Sequence, residues 1–172
     1  MVDVVSTLKT RARRLHRATA FGEPEAVSRV RLLPELRRLD PAELPAAVKR
    51  RHCLSAIARE LGFQGWPHAL AVLQGREAAD FGELLYTGQH SPTLNIWSAS
   101  YAEARDIRAK HGGYLLAYRR HYLIVDADYI RALGLDAEDP DWEGIGRDRI
   151  RPKDSEARKR LYGKLIEGRL TG

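Results

Sequence analysis

The chain predicts an α+β fold: an N-terminal helical subdomain, then a small antiparallel sheet with one clear hairpin and flanking helices. Three observations carry this. Apolar residues recur every three or four positions through the first 75 residues, the period of a helix with one buried face. Near residue 94 the pattern changes to short runs rich in aliphatic and aromatic residues, which suit strands. Between the two regimes, Gly82, Gly88, Ser91 and Pro92 mark irregular backbone. The expected organisation is a helical subdomain over 1–75, a connecting segment over 76–93 and an α+β subdomain over 94–172.

Val5, Leu8, Ala12 and Leu15 form the apolar stripe of a first helix, with Lys9, Arg13 and Arg17 as an i, i+4, i+8 ridge elsewhere and Arg14 close by. Val27, Val30, Leu33 and Leu36 suggest a second helix, which Pro34 must kink or restart. A third is expected from about Ala46 to Leu61, with Leu54, Ile57 and Leu61 on one face. Gly62 stands where a left-handed C-cap needs it, so Phe63 can fold back on the last turn. Gly65-Trp66-Pro67 opens a fourth, short helix that buries Ala69, Leu70 and Leu73. Phe81, Leu84 and Tyr86 anchor the connecting segment to a core.

Leu94 to Ser98 reads as a strand, and Tyr101 to Lys110 as a helix ending at Gly112-Gly113. Tyr114–Tyr118 and His121–Val125 should pair as a tight hairpin. Arg119-Arg120 is a local misfit there, because two-residue turns favour Asn-Gly or similar pairs, so the turn could borrow residues from each strand. Asp126 to Leu133 suggests a short helix, followed by an acidic loop and a basic helix from about Asp154 to Ile166. Within the loop, Asp139-Pro-Asp-Trp-Glu-Gly144 mimics the start of a calcium loop, but Ile150 occupies the twelfth position, where a bidentate Glu is required. Trp142 is expected to pack while the acids face water.

Charge is the strongest functional signal. Residues 1–60 hold 13 of the 29 Lys/Arg and only 7 of the 23 Asp/Glu, leaving 16 of each in the rest of the chain. The whole formal excess of +6 belongs to the N-terminal third. A field of one sign concentrates polyanions and speeds their encounter. Lys9, Arg13, Arg14, Arg17, Lys49, Arg50 and Arg51 are the candidate nucleic-acid-binding residues. They would grip phosphates without reading bases.

No catalytic residue, metal or cofactor is assigned. The histidines show no His-x3-His pair, and the single cysteine, Cys53, excludes an internal disulfide and any Cys-based zinc site. Walker, Gly-x-Ser-x-Gly and dinucleotide fingerprints are missing. No stretch approaches the roughly 20 apolar residues of a membrane span, so a cytoplasmic protein without a membrane partner is expected.

Arg51 to Leu70, with Ala-Arg-Glu, Gly-Phe and Trp-Pro, resembles a helical module of bacterial ankyrin-type proteins, although no ankyrin repeat is present. Residues 94–165 are similar to small bacterial proteins of unassigned function, which implies a shared fold and no activity. Ile57 to Phe63 also resembles the first helix and turn of a helix-turn-helix. Its candidate second helix, Trp66 to Leu73, carries no Arg or Lys to read bases.

The sequence therefore points to a non-enzymatic bacterial accessory protein that binds DNA, RNA or another polyanion through basic N-terminal helices. The alternative is a protein–protein interaction module whose basic surface is incidental. A third reading, a small metal-independent ribonuclease, rests on Tyr118, Arg119, Arg120, His121 and Tyr122 at the hairpin tip. Strand alternation puts Arg120 and Tyr122 on one side and His121 on the other.

Overall fold

The computed structural model describes residues 3–76, 79–87 and 95–171. The chain is α+β, with nine helices and a three-stranded antiparallel sheet among the described residues, and it divides into two compact units, Val2–Ala71 and Val72–Gly172.

The first unit begins with α1 (Val4–Ala20), capped by the Asp3 carboxylate, which accepts the backbone N–H of Val5 and of Ser6, each at 3.2 Å. These bonds satisfy two donors that a helix start would leave open. Val5, Leu8, Ala12 and Leu15 are buried as the spacing predicts, in a helix that packs on α2 (Pro24–Arg31) and α4 (Arg50–Glu60). Full burial of each large aliphatic stabilises the unit by about 1.5–3 kcal/mol. Arg29 bridges α2 to the end of α4 through a two-pronged pair with Glu60, at 2.8 and 2.7 Å. Gly62 adopts φ +86°, and the Phe63 N–H donates to Ala58 O at 3.0 Å with the ring buried, closing α4 as expected.

Two helix boundaries differ from the expectation. The helix from Val27 to Leu36 stops at Arg31, and turns around Pro34 take over. The helix from Ala46 to Leu61 is two pieces, α3 (Leu44–Ala47) and α4. Val48 and Lys49 between them are extended, with ψ 129° and 157°. Side chains replace the missing helical bonds: His16 Nε2 lies 3.1 Å from Val48 O, and His52 Nδ1 accepts the Lys49 N–H at 3.1 Å. Helical spacing cannot reveal such a break, because both fragments keep the same phase. α5 (Trp66–Leu73) follows.

The second unit is built on a sheet of order β1 (Ile96–Ser98), β3 (His121–Val125), β2 (Tyr114–Tyr118), antiparallel throughout. Leu94, expected in the first strand, lies outside the described residues. β2 and β3 join through Arg119-Arg120 alone, with Tyr118 opposite His121. The misfit is absorbed at Arg119, which takes the left-handed φ of +50°. Residues 81–83 hold it there: Arg119 N–H donates to Gly82 O and Phe81 N–H to Arg119 O, both at 2.8 Å, and the guanidinium pairs with Glu83. Residues 79–87, assigned to the connecting segment, are thus built into the second unit, with Leu84 and Leu85 buried.

α6 (Tyr101–His111) starts at the Ser100 cap and lays Ala104 on Leu115 and Ile124. The same sheet face carries Ala117 and Tyr122 by alternation. α7 (Ala127–Ala132) follows β3. The acidic loop contains a further helix, α8 (Pro140–Gly144), which packs on α9 (Ser155–Thr171). Trp142 is buried, as expected. Asp141, expected to face water, is only 7% exposed. It accepts Arg160 at 2.5 Å and Lys164 at 3.0 Å, and Lys164 also reaches Asp139 at 2.5 Å. The Arg160 bond leads in holding the Asp141 carboxyl below the usual carboxylate range, with Lys164 adding to it.

Candidate functional site

All seven predicted cations are solvent-exposed. At 100° per residue, Lys9, Arg13 and His16 share one flank of α1, and His16 meets the backbone just before Lys49. That flank therefore borders the start of α4, where Lys49, Arg50 and Arg51 sit. Arg17 is turned away from the core, its guanidinium 5.8 Å from the Phe21 ring centre. Arg14 lies on the opposite flank, so the structure groups five of the seven and leaves Arg14 and Arg17 at the margin. α4 has no acid in its first turn, so three cations stand at the positive end of the helix dipole.

These cations are also unneutralised: among the described residues, none of the seven makes an ion pair. The second unit is built the other way. There Arg105, Arg119, Arg131, Arg147, Lys159, Arg160 and Lys164 each pair with a carboxylate. The neutral balance of residues 61–172 is thus realised as contacts.

On α5, His68 Nδ1 accepts the Gln64 N–H at 3.0 Å, a local turn contact. At the hairpin tip, His121 lies edge-on to Trp97, whereas Tyr122 lies against Phe81 and Tyr101 on the other face. The imidazole and that phenol do not converge.

A second cluster escaped the sequence reading. The chain after α8 runs beside β2, with Leu115 N–H donating to Arg147 O at 2.8 Å and Arg149 N–H to Leu115 O at 3.0 Å. Asp148 then fixes the following turn: Oδ1 accepts the N–H of Ile150 and of Arg151, and Oδ2 accepts the Tyr101 hydroxyl at 2.6 Å. Burial, with help from Asp148, pushes the Tyr101 phenol up to about 12. This backbone path drives Arg149 inward and sets it on the Tyr162 ring, 3.8 Å from its centre.

Arg149 is 1% exposed, and its three guanidinium nitrogens have no hydrogen-bond partner among the described residues. Arg158 on α9, 8% exposed, has an unpartnered Nε and only a 3.4 Å bond from Nη1 to Arg149 O. Burial pushes the Arg149 pKa down, but it starts so high that the group stays charged. A desolvated cation–π contact returns about 2 kcal/mol, against several kcal/mol to bury each ion. The tyrosine ring therefore does not balance this cost. Both arginines line a cavity of about 360 Å³ together with Arg76 and Arg151, and no Asp or Glu is among its described lining residues. The one signal in the sequence was the alternation Arg147-Asp-Arg-Ile-Arg151, which a net-charge count hides.

Comparison with protein families, with curated proteins and with solved structures finds no significant match.

Proposed function

We propose that the protein is a non-enzymatic accessory factor that binds nucleic acid, or another polyanion, without sequence preference through the basic face of its first unit. The observation that supports this is the set of seven exposed cations, unpaired among the described residues, three of them at a helix start that already repels positive charge. Retaining such a group costs stability, and phosphates offset that cost. The test is fluorescence anisotropy with duplex DNA and single-stranded RNA over a salt series. Log affinity should fall linearly with log salt, by about 0.9 per phosphate contact for the duplex and about 0.7 for the single strand. Absence of retardation of either nucleic acid at low salt would overturn the reading.

One observation favours the protein-interaction reading. Leu32 is 79% exposed and borders a shallow groove of about 820 Å³ lined by Pro24, Val27, Pro41 and Pro45. Salt-insensitive capture of a protein partner that Leu32→Asp abolishes would support it.

A further inference from the structure

We propose that the cavity of the second unit binds a small phosphate monoester, with the guanidiniums of Arg149 and Arg158 gripping the phosphate. Arg149 is buried without a hydrogen bond among the described residues, and Arg158 is nearly so, while no carboxylate lines the space between them. A guanidinium presents its N–H donors in a planar fork that matches the oxygens of a phosphate. Two such forks beside Arg151 and Arg76 surround the cavity with positive charge, and an anion supplies the missing partner. The opposite wall is aromatic: Tyr122 meets Phe81 at 6.1 Å and Tyr101 at 5.8 Å between ring centres, both edge-on. Its volume of about 360 Å³ suits a small molecule and not a polymer.

Gly75 supports the assignment. Its φ is +74°, and a Cβ placed there would lie 1.8 Å from Arg158 Nη2. The turn thus leaves room for this guanidinium to enter the cavity, and any side chain at position 75 would displace it.

The proposal concerns a different unit and a different ligand from the basic face, so the two fail separately. Thermal shift and calorimetry on the full chain, with inorganic phosphate, ribose 5-phosphate and a nucleoside monophosphate, test it. Phosphate is expected to raise the melting temperature, and the arm that binds tightest identifies the carrier of the group. Arg149→Met, which keeps the volume and removes the charge, should weaken binding at least tenfold and leave the ligand-free melting temperature unchanged or higher. Gly75→Ala and Arg158→Gln should each weaken binding several-fold, and they test the site even if the Met variant does not fold. Arg13→Glu with Arg14→Glu and Arg17→Glu should leave phosphate binding intact. No shift with any of the three ligands at 10 mM, or unchanged binding in both Gly75→Ala and Arg158→Gln, would overturn the proposal.

Discussion

The two units spend their cations in opposite ways. In Val2–Ala71 the described basic residues outnumber the acids, and Arg29, with Glu60, is the one for which an ion pair is seen. In Val72–Gly172 seven exposed or half-exposed cations are neutralised at the surface, while two further arginines are carried into the interior without a carboxylate. Net charge alone ranks the first unit as the anion binder and the second as inert. The arrangement corrects that ranking: one unit offers diffuse, exposed charge suited to a polymer, the other concentrated, desolvated charge suited to a small ligand.

The largest effect that sharpens this contrast is on nucleic-acid binding. Reversing Arg13, Arg14 and Arg17 to Glu should reduce duplex affinity by at least 10³-fold at low salt, on the order of the loss expected when several phosphate contacts vanish. Reversing the paired cations Arg105 and Lys159 should change affinity less than threefold. Equal losses in both sets, read by anisotropy, would break the distinction.

Next come the ties within the second unit. Trp142→Ala removes a fully buried ring whose Nε1 donates to Asp136 O at 2.9 Å, and should cost about 3–5 kcal/mol in urea unfolding. Asp141→Asn, which unpairs Arg160 and Lys164 at the α8–α9 junction, should cost roughly 1–2 kcal/mol, because both partners keep contact with water. An Asp141 variant as costly as the Trp142 one would mean that the pair, and not the ring, holds the junction.

The units should also differ in acid. His52 in the first unit is held below the usual histidine pKa of 6.5, by burial first and by Arg51 next, and its neutral Nδ1 accepts the Lys49 N–H. The unfolded chain therefore binds this proton more readily, so the contribution is complete above about 6.5 and is lost as pH falls toward the lowered folded value. Asp141 is likewise held down, from 3.8, so its contribution is complete above that value and is lost only as pH falls further, through the folded pKa. Stability from pH 7 to 5 should therefore decline in wild type and flatten in His52→Gln, whereas Asp141→Asn should flatten only the limb below pH 4. The smallest effect is Arg29→Ala, which should cost at most about 1 kcal/mol because the pair is half-exposed.

What the sequence reveals follows from what periodicity can encode. The stripe of α1, the Gly62 cap and the 118–121 register are local, and the residues that specify them are neighbours in the chain. The break at Val48 is not local, because His16 stabilises it from 32 residues away. Helix α8 was hidden because Pro and acids read as loop, although Pro at the first helical position and an Asp139 cap are both start signals. The arginine cavity was hidden more deeply. Its parts come from Gly75, Phe81, Tyr101, Ala117, Arg149 and Arg158, and no spacing rule relates them.

The segment that carries Arg149 has one more consequence. β2 reads Tyr-Leu-Leu-Ala-Tyr, an uncharged run of high strand propensity, and β3 covers only one of its edges. Residues 147–149 bond Leu115 on the other edge, and residues 81–82 bond Arg119 farther along it. A run of this kind with a bare edge recruits the same run from another molecule and grows into fibrils. These few backbone bonds therefore guard the chain's solubility, and loosening either cover should show first as concentration-dependent aggregation, before any loss of helix.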